Sequence, residues 1–212
     1  MATGSARVLI ELLRGSDLTL LRGDRCLFRH LDFALDAGEA LQVKGPNGSG
    51  KTSLLRAVAG LLDLEEGQVT WQGQPTLTHR QAFCDELVWF AHRLGFKGDL
   101  SLLDNLRFEA GLRRTRMDRL DAVLERLGLA RLTRLPIRSL SAGQQRRVSL
   151  ARMLLADARL WLMDEPFTNL DTAGQALVLE LIDAHLAEGG ACLLASHQPI
   201  VLQGTLRSLE LD

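Results

Sequence analysis

Two short stretches of the chain carry residue types spaced for phosphate chemistry. The first, GPNGSGKT, runs from Gly45 to Thr52 and fits the phosphate-binding pattern G-x-x-x-x-G-K-[ST]. Its glycines let the backbone wrap with N–H groups turned inward, and a helix N-terminus behind the loop adds positive potential. Gly45, Pro46, Asn47, Gly48, Ser49, Gly50, Lys51, Thr52 and Ser53 are therefore expected to line a nucleotide. Lys51 reaches the β- and γ-phosphates in this arrangement, and the Thr52 hydroxyl is placed for Mg²⁺. The second stretch, LWLMDEP, runs from Leu160 to Pro166 and reads as a buried strand ending in two carboxylates. Carboxylates at that end of a strand face the crevice where open α/β sheets bind ligands. Asp164 is expected to hold Mg²⁺, mostly through water, and Glu165 to orient the attacking water.

These groups need a sheet to bring them together. Val8 to Leu13, Arg25 to Phe28, Ala40 to Val43 and Gly67 to Trp71 read as strands bounded by turn residues. KTSLLRAVAGLL, after Gly50, has Leu54, Leu55, Val58, Leu61 and Leu62 at helical spacing. Val88 to Ala91 is a short apolar run ending at His92. From Ser101 to Leu129 the pattern turns helical, with Ser101 as N-cap, Asp104 three residues on, a second helix over Met117 to Leu127, and Gly128 as its stop. Strands return at Arg159 to Met163 and Ala191 to Ala195, with a helix over Thr172 to Glu188 between them and a last edge strand at Ser208 to Leu211. Strand–helix alternation with apolar strands predicts an α/β fold with a mainly parallel sheet. No internal repeat or low-complexity linker interrupts it.

Composition bounds the class. The 212 residues hold 46% hydrophobic and 24% charged side chains, enough apolar material for a well-buried globular core. A net charge of −1 supplies no basic field for nucleic acid. Cys26, Cys84 and Cys192 are odd in number and far apart, so they read as small buried side chains in a reducing compartment. The opening MATGSARVLIELLRGSD lacks a signal-peptide core, and the apolar runs are too short to span a bilayer. Membrane contact is expected only through a partner.

A third stretch, LSAGQQRR at Leu140 to Arg147, adds a second anion site. Ser141, Ala142 and Gly143 open a helix whose first turn has unpaired N–H groups. Arg146, Arg147 and Arg152 read as a solvated face of that helix. This stretch resembles the L-S-G-G-Q signature of the ATP-binding cassette (ABC) ATPases, with Ala142 in place of the first glycine. The resemblance spans nearly the whole chain. It implies a P-loop NTPase of the ABC type, formed as one domain over 1–212. An α/β core over 1–90 and 157–212, with an N-terminal antiparallel part, would carry an inserted helical lobe at about 91–156. It implies ATP and Mg²⁺ as ligands, hydrolysis of ATP to ADP and phosphate, and a head-to-tail homodimer. Each site would combine Lys51, Thr52, Asp164, Glu165 and His197 of one copy with Ser141, Gly143 and Gln144 of the other. Asn169-Leu170-Asp171 matches the loop that crosses the dimer interface, and His197 the histidine that contacts the γ-phosphate.

Two positions depart from the pattern. Arg22 falls where the family often stacks an aromatic on adenine, and guanidinium planes stack too; Phe28, the other candidate, is expected to face the core. His92 stands where the family has a glutamine linking Mg²⁺ to the transport partner. Imidazole is a poor ligand for Mg²⁺, so His92 is expected to act through water or as a conformational link. WQGQP, AHRLGFKGDLSLLDNLRF, DEPFTNLD and SHQP are further similar to the cytochrome c maturation protein A family of haem-exporter ATPase subunits. That resemblance implies integral membrane subunits as partners and a peripheral place on the cytoplasmic face of the inner membrane. His30, His79 and His185 read as scattered surface residues. Three other readings stay open: the ATPase of another small exporter for lipids, drugs or peptides, a soluble cassette ATPase acting on ribosomes or DNA, and a nucleotide-binding regulator without turnover.

Overall fold

In the computed structural model, which describes residues 10–91 and 95–211, β1 (Glu11–Arg22) and β2 (Arg25–Asp36) form a long hairpin. Its two-residue turn is Gly23-Asp24, with Gly23 at φ 60°. Val8 and Leu9 of the first run lie outside the described residues, and both strands are longer than their apolar runs suggested. Irregular pairing allows this: the register shifts between Gly15 and Leu20, where Asp17 and His30 take positive φ and bond to each other at 2.6 Å. The hairpin joins β4 (Glu66–Trp71) and β5 (Gln74–Pro75) in an antiparallel sheet ordered β2-β1-β4-β5.

The second sheet contains β3 (Glu39–Lys44), β6 (Leu87–Phe90), β7 (Leu160–Asp164), β8 (Ala191–Ala195) and β9 (Thr205–Glu210). Its order is β6-β7-β8-β3-β9 and every pairing is parallel. β7 and β8 are buried along their whole length, as strands covered on both faces must be. The alternation within them separates two cores. Trp161, Met163, Cys192 and Leu194 pack with α3 (Leu102–Ala110), α4 (Leu120–Arg126), α5 (Ala142–Leu155) and α6 (Thr172–Ala187). Leu160, Leu162, Leu193 and Ala195 pack with α1 (Lys51–Val58) and the antiparallel sheet. The parallel sheet is thus the wall between two hydrophobic clusters.

Several sequence expectations hold. Ser101 caps α3 by accepting from the Asp104 N–H, and Gly128 ends the α4 segment at φ 67°. Phe28 is buried, so it packs in the core. Others need correction. The helix after Lys51 stops at Val58, because Gly60 turns the chain at φ 68°; Leu61 and Leu62 fall outside it and are exposed. The short helix α2 (Arg80–Glu86) was not foreseen, since it buries only Phe83 and shows no apolar stripe. Cys26 is exposed and Cys84 half-buried; Cys192 alone is buried as expected.

His185 is not a loose surface residue. Its ring stacks on Trp161 with centroids 4.0 Å apart, and Nε2 lies 3.1 Å from the Arg159 carbonyl and 3.3 Å from that of Ala191. Carbonyls only accept, so Nε2 carries the proton. Burial pushes the imidazole down to about 4, the two carbonyls resisting the shift. The unfolded chain therefore binds the extra proton first as pH falls from about 6.5, and the native state loses stability until the folded group itself titrates. Urea midpoints should fall between about pH 6.5 and about pH 4 more steeply for the wild type than for His185→Gln. Equal slopes would show that His185 titrates normally in the fold.

Candidate nucleotide site

β3 delivers the chain into the loop Gly45–Gly50 at the C-terminal edge of the parallel sheet. Gly45, Gly48 and Gly50 have φ of 145°, 84° and 105°, and Gly50 caps α1 in the left-handed region. A side chain at Gly45 would collide with the Leu211 carbonyl and the Ser49 hydroxyl, so the loop closes only around glycine. Lys51 is 7% exposed, and its ammonium donates to the carbonyls of Gly45 (2.8 Å) and Pro46 (2.9 Å). The lysine thus braces the loop from inside. Ser49 Oγ is buried and has no hydrogen-bond partner among the described residues. An unpartnered hydroxyl, a buried ammonium and the first turn of α1 make a cradle suited to phosphate.

The β7 carboxylates meet this cradle. Thr52 Oγ1 donates to Asp164 Oδ1 at 2.9 Å, and Asp164 is 4% exposed. Two hard oxygens side by side at a phosphate loop suit Mg²⁺, which retains waters and needs few protein ligands. Glu165 follows at φ 49°, an uncommon conformation for a non-glycine residue. Its N–H donates to the Ala195 carbonyl at 2.9 Å, prolonging the β7–β8 ladder by one residue. Its carboxylate lies 3.0 Å from His197 Nδ1. An ionised carboxylate only accepts, so Nδ1–H donates and Nε2 is left open toward solvent. The exposures fit this division: 22% for the Glu165 side chain and 59% for that of His197.

The helix of the third motif begins with a reciprocal cap. Ser141 Oγ accepts from the Gln144 N–H, and the Gln144 side chain accepts from the Ser141 N–H. Gln144 is therefore committed to its own helix end, while Ser141 and Ala142 are exposed. Gly143 sits beside the Asn169 carbonyl; Asn169 has φ 60°, and Asp171 caps α6.

Arg146 overturns the expectation of a solvated arginine face. It is 3% exposed, and its guanidinium donates to the carbonyls of Glu165 (2.8 Å), Thr168 (3.2 Å) and Ala91 (3.2 Å) and lies over the Phe90 ring. Burial lowers its pKa, with Asp164 and Glu165 opposing the shift. Arg152 is also largely covered, set over Phe96 and 3.6 Å from Glu109. Arg146 ties α5 to the turn that carries Glu165. In the sequence it was one arginine of a polar pair, and nothing local marks which of the two turns inward.

Arg22 ends β1 and is exposed, paired across the turn with Arg25. Arg25 is the hairpin arginine whose guanidinium approaches Gly48, 4.0 Å from the position of a Cβ there. His92 lies outside the described residues. Among the described residues, no cluster of three or more His, Cys, Asp or Glu is grouped to hold a metal ion.

A family model described as ABC transporter matches residues 28–168. A cytochrome c biogenesis ATP-binding export protein CcmA of Methylococcus capsulatus is 47% identical over 92% of this chain and 95% of its own length. CcmA proteins of Idiomarina loihiensis (43%, covering 91% and 88%) and Salmonella typhimurium (44%, covering 89% and 91%) are similar. Among solved structures, a putative ABC transporter ATP-binding protein from Pyrococcus furiosus superposes with a TM-score of 0.80 at 24% identity, over 94% of this chain and 96% of that one. An ATP-binding cassette solved in its ADP conformation gives 0.74 at 22% identity, over 90% and 82%. Both likenesses bear on the fold.

Replacing Arg146 strands the three carbonyls that it serves. Arg146→Lys keeps the charge but not the planar fork, and should lower unfolding stability by at least about 2 kcal/mol in urea titrations. A wild-type midpoint for Arg146→Lys would show that the guanidinium bonds contribute nothing.

Proposed function

Since the chain belongs to the ABC transporter family, within its group of cytochrome c biogenesis ATP-binding export (CcmA) proteins, we propose that it hydrolyses ATP as the peripheral subunit of a bacterial inner-membrane complex. The work done is haem export, or release of a loaded haem chaperone, for cytochrome c assembly. The haem-related part rests on identity of 42–47% over about nine-tenths of the chain to proteins named for that process. The ATPase part rests on one observation above the others: Glu165, bonded to His197, stands next to the Thr52–Asp164 pair at the mouth of the phosphate loop.

The reaction then proceeds through this chain's own groups. Loop N–H groups and Lys51 bind the β- and γ-phosphates, and Lys51 exchanges its contacts to the Gly45 and Pro46 carbonyls for phosphate oxygens. Thr52 and Asp164 would hold Mg²⁺, which supplies neutralisation of phosphate charge. The Glu165 carboxylate accepts from the attacking water and orients it in line with the γ-phosphorus. His197 steadies that carboxylate through Nδ1–H and, as an imidazolium, donates Nε2–H to a γ-phosphate oxygen. Ser141 and Gly143 of a second copy close the site, and Gln144 preserves their helix end. Arg22 stacks on the adenine. His92 carries the state of the site, through water, toward the surface where the integral subunits dock. Among the described residues no helix is long and apolar enough to cross a membrane, so this docking supplies the membrane contact in the proposal. The segment 91–156 acts as the lobe that moves with those subunits.

Differential affinity of the closed dimer for ATP over ADP is what performs work on the partners. Glu165→Gln keeps the side chain's size and removes its basicity. Turnover should fall by about 100-fold or more while ATP binding persists. Membranes incubated with this variant and ATP should yield haem-handling integral subunits in a pull-down. Wild-type turnover would remove Glu165 from its assigned role. Recovery of an unrelated permease would replace haem by another cargo.

A further inference from the structure

Gln42 is a primary amide inside an apolar strand. It lies in β3 between the buried Leu41 and Val43 and is 1% exposed. A buried amide is costly unless its donors are used, and here one nitrogen serves two acceptors. Nε2 donates to the Ser196 carbonyl at 3.2 Å and to the Gln198 carbonyl at 2.8 Å. Those carbonyls belong to the residues on either side of His197. The same short loop is tied down twice more: the Ser196 N–H donates to the Val43 carbonyl at 3.4 Å, and the Gln198 N–H to Ser196 Oγ at 3.1 Å. His197 itself is exposed, and its ring bonds to Glu165. Two bonds to the carbonyls of the residues on either side of His197 point to the placement of that residue.

We propose that Gln42 is the positioning residue for His197: its amide fixes the backbone on both sides of the histidine, so that the ring meets Glu165 on one side and the γ-phosphate on the other. The proposal rests on the role assigned above to His197. It also couples two parts of the site. Gln42 lies three positions before Gly45 in the chain, so β3 carries the phosphate loop at its end and the anchor of the histidine loop in its body.

The test is a double-mutant cycle on the full chain in its membrane complex, with Gln42→Met, His197→Ala and the double variant. Methionine matches glutamine in length and lacks the N–H donors. Gln42→Met should lower kcat by about tenfold or more, leave the KM for ATP and the affinity for a fluorescent ATP analogue within about twofold, and cost nothing further in His197→Ala. Unchanged kcat in Gln42→Met beside an impaired His197→Ala overturns this proposal alone. So does an equal loss of kcat in both backgrounds, because Gln42 then acts elsewhere. Full turnover by His197→Ala overturns the role of His197, and that of Gln42 with it. Where Gln42→Met does not fold, Gln42→Asn keeps the amide but shortens its reach, and the same cycle is read with it.

Discussion

The site depends on the register of three parallel strands. Val43 of β3 and Asp164 of β7 both pair with Ala195 of β8. The chain therefore leaves the sheet at the same level in all three strands. One exit becomes the phosphate loop, one becomes Asp164-Glu165, and one becomes Ser196-His197. A slip of one residue would exchange the two faces of a strand and move its exit off the common edge. Slippage is opposed by the two hydrophobic clusters, which take alternate residues of β7 and β8. Core packing and the geometry of the candidate site are thus fixed by the same alternation.

Polar groups inside this framework hold the exits in place. Lys51 braces the phosphate loop, Arg146 binds the backbone of the Glu165 turn, and Gln42 binds the backbone around His197. Each donates to main-chain carbonyls rather than to a carboxylate. Carbonyl acceptors tie each donor to the main chain of a loop. They also make the contacts sensitive to backbone position, which suits groups that define a loop's shape. The positive φ of Glu165 belongs to the same design: its N–H completes the ladder to Ala195, its carbonyl meets Arg146, and its side chain turns toward His197.

Much of this was legible in the sequence where the chemistry is local. The phosphate loop has its glycines, lysine and threonine in eight consecutive residues, Gly45 to Thr52, between a strand and a helix. Asp164 and Glu165 end an apolar run, and the run itself says which end of the sheet they occupy. What was not legible depends on partners distant in the chain. Arg146 is inward because α5 packs beside β6 and the 165–168 turn; its neighbour Arg147 has the same composition and a different environment. Gln42 looks like a polar break in an apolar strand until the loop after β8 is laid against it. His185, on α6, is half-buried because its ring stacks on Trp161 of β7, far away in the chain. The hairpin strands outran their apolar runs because bulges at Asp17 and His30 carry the pairing through polar residues.

In the proposed function the groups gathered at this edge form half of an ATP site, completed by the Ser141 end of α5 from a second copy. Sedimentation of the Glu165→Gln chain with ATP, with ADP, and with ATP after adding Ser141→Arg tests it directly. Dimers are expected with ATP, monomers with ADP, and monomers again when arginine occupies position 141. An association state that ignores both the γ-phosphate and the Ser141→Arg substitution would contradict it.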